Sequence, residues 1–217
     1  FTIEKGKLYL LQTRNAKMDA RARVRVVVEM EKEGLITKEE ALMGITPETL
    51  EHMLHRSIDP TIHIESKAKG LGASPGASSG IAIFDADTAE EKGRAGKKVI
   101  LVREETRPED VHGFFASQGI LTSRGGKTSH AAVVARGIGK PCVCGAAEIK
   151  IDTRKRQFSI GKHIVKEGEY ITIDGTSGEV FLGEVPTIEP EPTPEMEEIL
   201  NWADNVRKLG VQANADT

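Results

Sequence analysis

The first segments, FTIE and KLYLLQTR, alternate apolar and polar positions around Lys5-Gly6 and predict a hairpin over residues 1–14. From residue 17 to 32 the pattern turns charged and helical, and Gly34 stops it. Thr37-Lys38-Glu39-Glu40 then has capping-box order, hydroxyl first and Glu three later, and opens a second helix. Pro47-Glu48 begins a third, short helix. The run GLGASPGASSG is read as loop-like, with a strand following over residues 81–84.

Next, element types alternate. Strands are predicted over residues 99–102, 119–122 and 141–144. Between them lie a helix to about Ser117, opened by the capping-box order of Thr106-Arg107-Pro108-Glu109, and a helix over residues 129–136 ended by Gly137. Strand, helix, strand, helix, strand argues a parallel sheet with crossover helices, hence an α/β fold. Short strands follow over residues 157–160, 164–165, 170–173 and 179–182, with Asp174-Gly175-Thr176-Ser177-Gly178 as the last turn. TIEPEPTPE reads as an extended linker, and a helix runs from residue 194 to about 209. The expected organisation is a helical linker at 17–63, a globular unit at 64–185 and a linker at 186–217.

Composition narrows the classes. Of 217 residues 38% are hydrophobic, 4% aromatic and 29% charged, and the net charge is -3. No basic excess suggests a nucleic-acid partner, and no apolar stretch approaches the roughly 18 residues of a membrane helix. No secretory pattern opens the chain. Cys142 and Cys144, on one short strand, are expected to face opposite sides, which argues against a disulfide or shared metal and for a reducing compartment. The chain opens without a start methionine in a strand-like run, and is expected to be a piece of a longer protein.

The chemistry concentrates in ILTSRGGKTSHAAVVARGIGKPCVCG. A strand delivers the chain to Gly125 and Gly126, which let backbone approach a ligand. Thr128 and Ser129 are N-cap types, so His130 falls in the first turn of a small-residue helix, where free N–H groups and the helix dipole favour an anion. Ala131, Ala132 and Ala135 leave little bulk around it. A lone histidine is more often structural. Here the glycines, the hydroxyls and the preceding strand all point instead to a phosphoryl carrier. Arg124 is a candidate phosphate partner. His112 reads as a helix-surface residue, and Asp174 as a turn residue. No ligand cluster for a metal is seen.

GGKTSHAAVVARG resembles the phosphohistidine signature of the phosphoenolpyruvate-utilising enzymes: Gly-Gly, any residue, Thr, Ser or Cys, His, Ala or Thr. The resemblance implies a swivelling three-layer β/β/α domain. In it His130 is the tele-phosphohistidine intermediate and Gly125, Gly126, Thr128 and Ser129 form the phosphate environment. LYLLQTRNAK resembles the last strand of an ATP-grasp domain, which implies that residues 1–16 end such a domain and that Gln12 and Arg14 contact nucleotide phosphates. The C-terminal segment resembles the helix leading into a barrel that binds phosphoenolpyruvate or pyruvate. Ser129, where the synthase branch usually has Cys, favours the dikinase branch, whose reaction is ATP + phosphate + pyruvate = AMP + diphosphate + phosphoenolpyruvate. Lys127 departs from the Met frequent there. Further implications are Mg2+ held by the partner domains, a homodimer formed through another domain, a kinase and phosphatase acting on Thr128, and a cytoplasmic or plastid location. The alternatives are a synthase fragment, or a non-catalytic module in which His130 is structural.

Overall fold

The computed structural model of the chain describes residues 1–13, 16, 18 and 20–210. Two compact units make it up, one of Phe1–Leu50 with Pro192–Thr217, the other Glu51–Glu191.

The first unit opens with strands β1 (Thr2–Glu4) and β2 (Lys7–Tyr9), paired antiparallel. Lys5 and Gly6 both take positive φ, the geometry of a tight hairpin turn. Helix α1 (Ala20–Lys32) buries Val24 and Val28, four residues apart on one face. Helix α2 (Lys38–Met43) has the capping box its sequence announces: Thr37 Oγ1 accepts from Glu40 N at 3.2 Å, and Thr37 N donates to the Glu40 carboxylate at 2.8 Å. Helix α3 (Pro47–Met53) follows.

In the second unit the chain runs through strands β3 (Ser57–Ile58), β4 (Ala68–Lys69), β5 (Leu71–Ser74) and β6 (Ala77–Ile83) to helix α4 (Ala86–Arg94). Then come β7 (Val99–Arg103), a 3-10 turn at Pro108–Asp110, α5 (Val111–Ala116), β8 (Gly119–Thr122), α6 (His130–Gly137) and β9 (Cys142–Cys144). Strands β10 (Ile149–Asp152), β11 (Gln157–Ile160) and β12 (His163–Lys166) form an antiparallel meander. Strands β13 (Tyr170–Asp174) and β14 (Glu179–Leu182) return to the central sheet, and β15 (Thr187–Ile188) pairs with β3.

The central sheet has the order β4-β14-β13-β6-β7-β8-β9-β5, and β6, β7, β8 and β9 are parallel. Alternation along β7 builds its layers. Val99 and Leu101 pack on one side with Ala89 of α4, Phe114 of α5 and Ala131, Ala132 and Ala135 of α6. Ile100 and Val102 pack on the other, with Ile149, Phe158, Ile160 and Val165 of the meander. Helices, eight-stranded sheet and meander give the three-layer β/β/α arrangement.

Three expectations change. GLGASPGASSG is not a loop but strands β5 and β6 about Pro75-Gly76. Its small residues serve close packing: a Cβ on Gly72 would lie 2.6 Å from the Gly175 carbonyl. Cys142 and Cys144 share a face, since residues two apart on a strand do, and Val143 between them faces the opposite layer. Thr106 does not cap the helix after it. Arg107 takes that position, its N–H donating to Asp110 at 2.8 Å. Helix α4 and strands β3, β4, β10 and β15 lie where no element was expected.

The chain closes in the first unit with α7 (Pro194–Val206), capped by Thr193, whose hydroxyl accepts from Met196 N at 3.2 Å. Helix α7 packs on α1 and α2, with Ile199 and Trp202 buried. Lys32 Nζ lies 2.8 Å from Glu198, and Lys38 Nζ sits 5.7 Å from the Trp202 ring centre. Segments expected to be separate connectors thus pack on each other. No helix is long and apolar enough to cross a membrane among the described residues.

Candidate active site

Strand β8 delivers the chain to the glycine pair, and hydrogen bonds stitch the loop down. Thr122 Oγ1 donates to the Arg124 carbonyl at 2.7 Å, and Ser123 N and Arg124 N donate to the carbonyls of Arg103 and Glu104 at 3.2 and 3.0 Å. Gly125 has φ +99°, and a Cβ there would lie 3.0 Å from Ser129 Cβ, so both the turn and its tightness require glycine. Ser129 N donates to the Gly126 carbonyl at 2.9 Å, closing the loop onto the helix start.

Ser129 is the N-cap of α6, its Oγ accepting from Ala132 N at 3.4 Å. Thr128 precedes the cap and is exposed. The Arg136 guanidinium returns from within the helix to the carbonyls of Ala132 and Lys127, fastening helix to loop. His130 is therefore the first helical residue, half-buried, beside the unpaired N–H groups of the first turn.

Its ring is held from two sides. Thr106 Oγ1 lies 3.2 Å from Nδ1, and the Phe114 ring stands 6.1 Å away, centre to centre, tilted 57°. The contact engages Nδ1 and not Nε2. Beneath the cap, Cys144 Sγ is 3.6 Å from Ser129 Oγ and 3.5 Å from Cys142 Sγ. Accepting the Cys142 thiol lowers Cys144 to about 6, helped by Thr122, Ser129 and the Arg136 charge and opposed by burial; the same bond and burial push Cys142 up.

The structure brings Gly125, Gly126, Thr128, Ser129 and His130 into one loop and helix start. Gln12 is exposed, in the first unit. Arg14 lies outside the described residues. His112 faces Asp87 at 3.0 Å, and Asp174 accepts from Thr176 N and Ser177 Oγ in its turn. No group of three or more His, Cys, Asp or Glu that could hold a metal is found among the described residues. Sequence reasoning missed Thr106. The signal that finds it is its place just past β7, next to β8, since loops at the C-terminal ends of parallel strands converge.

Residues 95–178, which include His130 and its loop, match the family described as PEP-utilising enzyme, mobile domain. Over these residues the chain is similar to the PEP-utilising enzymes. The match to their mobile domain runs from just after α4 to the turn before β14. Similarity extends over the whole chain. It is 56% identical over 217 residues to a pyruvate, phosphate dikinase of Entamoeba histolytica, 49% to one of Rhizobium meliloti and 47% over 219 residues to one of Clostridium symbiosum. All of this chain is covered in each case, against 24%, 24% and 25% of those proteins. The chain thus spans about a quarter of the length of these PEP-utilising relatives.

Proposed function

We propose that the chain is the phosphoryl-carrying part of a pyruvate, phosphate dikinase, and that His130 Nε2 is the atom phosphorylated. The observation that carries this is the Thr106 contact to Nδ1, on an imidazole at the start of α6. When Nδ1–H donates to Thr106, the Nε2 lone pair attacks phosphorus and the bond from phosphorus to the leaving oxygen breaks. Transfer onward to the enolate oxygen of pyruvate returns the lone pair to Nε2. The backbone at Gly125 and Gly126, the hydroxyls of Thr128 and Ser129, and the N-terminal amides of α6 offset the added negative charge.

The similarity to dikinases supports the wider assignment. Residues 1–16 end the ATP-grasp domain, with Gln12 and Arg14 on nucleotide phosphates. Residues 17–63 and 186–217 are the linkers on which domain 64–185 swivels between the nucleotide site and the pyruvate barrel. His130 takes the β-phosphoryl group of ATP. In this reading Mg2+ belongs to the partner domains. The reading includes a homodimer through another domain, a cytoplasmic location, and a kinase and phosphatase acting on Thr128.

The test uses the full-length polypeptide and β-labelled ATP. His130→Asn should abolish labelling of the protein, and the wild-type label should be acid-labile and base-stable. Labelling of the variant at normal stoichiometry would refute the assignment. AMP formation that needs phosphate identifies the dikinase; formation with water alone identifies the synthase.

A further inference from the structure

A charged groove adjoins the acceptor. Two clefts of about 340 and 300 Å³ share Glu104 and Arg124 as a common wall. Thr106 lines the larger, and its hydroxyl is the one 3.2 Å from His130. Arg103 and Arg107 line the same cleft, and Lys150 lines the smaller. Four cationic side chains line the two clefts with two carboxylates, Glu104 and Glu105, and a third carboxylate, Asp110, pairs with Arg103. The chain as a whole carries -3, so this excess is local.

The cations differ in how they are held. Arg103 donates Nη1 to the Phe84 carbonyl at 3.0 Å and sets Nη2 3.4 Å from Asp110, so little ordering remains to be done when a ligand arrives. Arg124 lies 3.6 Å from Glu104 with both side chains largely exposed, a weak pair that a more highly charged anion displaces. The Arg124 N–H bond to the Glu104 carbonyl, 3.0 Å, fixes one loop against the other. Planar guanidinium groups match phosphate oxygens two at a time.

We infer that this groove is a phosphate-binding subsite next to His130, taking inorganic phosphate or the terminal phosphate of a polyphosphate. Binding stands on the groove alone; its use beside a phosphoryl acceptor rests on the proposed function.

The experiment is a titration of the 217-residue chain, followed by amide shifts, with inorganic phosphate, with tripolyphosphate, and with sodium chloride at matched ionic strength. Saturable shifts at Thr106, Arg124 and Lys150 are expected with phosphate or tripolyphosphate and not with chloride. Saturation by inorganic phosphate assigns the free anion, and saturation by tripolyphosphate alone assigns the terminal group. Arg107→Gln with Arg124→Gln should weaken binding about tenfold or more, about 1.4 kcal/mol. The same spectra report whether that variant is folded; if it is not, Arg107→Lys with Arg124→Lys replaces it, with weaker binding still expected. Shifts that chloride reproduces, that spread over distant lysines and arginines, or that are confined to residues 126–132 and ignore the arginine changes would overturn the inference. Groove binding in a protein that never labels His130 removes the proposed function and leaves the groove; labelling without groove binding does the reverse.

Discussion

Thr106 and His130 are 24 residues apart in sequence, yet Thr106 Oγ1 stands 3.2 Å from His130 Nδ1. The contact selects a ring nitrogen. If Nδ1–H donates to the hydroxyl, the lone pair lies on Nε2, the form that attacks phosphorus. Thr106→Val keeps the shape and removes the hydroxyl. Nitrogen-15 spectra of the ring should show Nδ1 protonated in the wild type and a mixture of tautomers in the variant. Losing a net hydrogen bond of about 1 kcal/mol should slow phosphorylation of His130 roughly fivefold. An unchanged tautomer would show that Thr106 does not orient the ring.

The loop before His130 should be costly to alter. Ser129→Ala removes the bond from Ala132 N and should cost about 1 kcal/mol, with Ser129→Asp restoring most of it. Gly125→Ala forces a side chain to φ +99° against Ser129 Cβ and should cost about 1–3 kcal/mol. Denaturant midpoints of the three variants check the order.

Thr128 separates charge from stability. Ser129, not Thr128, caps α6, so Thr128→Asp should leave the thermal midpoint nearly unchanged. The added charge sits two residues before His130, where it repels an incoming phosphoryl group, as a phosphate there would more strongly. Labelling of His130 should fall sharply in this variant. Full labelling would end the regulatory reading of Thr128.

Arg56 and Glu189 flank the β3–β15 pair and are hydrogen-bonded to each other. The Arg56 hydrogen bond holds the Glu189 carboxyl below its ordinary value, and Glu189 raises Arg56. A lowered acid contributes stability above its unfolded value and loses it as pH falls through the folded one. Protection of the Asp59 amide, which donates to the Pro186 carbonyl, should therefore weaken on acidification below the usual carboxylate range. Both residues are largely exposed, so the effect is small. Arg56→Gln should remove the pH dependence. A profile identical to wild type would assign it elsewhere.

Where chemistry is local, it was legible in the sequence. The capping order at Thr37, the glycine pair, Ser129 at a helix start and His130 after it all lie within a few residues of their partners. The strand–helix alternation that gives a parallel sheet is equally local. The misreadings share a cause. Thr106-Arg107-Pro108-Glu109 satisfies a capping pattern, but Asp110 competes for the Arg107 N–H and Thr106 is left to meet His130. GLGASPGASSG has loop composition, yet its glycines admit neighbouring backbone and the segment becomes two strands.

By itself the sequence determined the capped, anion-favouring helix start that carries His130 and the strand–helix alternation of a parallel α/β sheet, because periodicity and capping are written over one or two turns of chain; the three-layer class followed from the family resemblance. The tertiary structure alone decided which ring nitrogen is engaged, that both cysteines lie on one face beneath the cap, and that Arg103 and Arg107 line one cleft and Lys150 another, with Arg124 shared between them. Those depend on strand register and on where parallel strands end, and side chains tens of residues apart become neighbours only when the sheet sets that register.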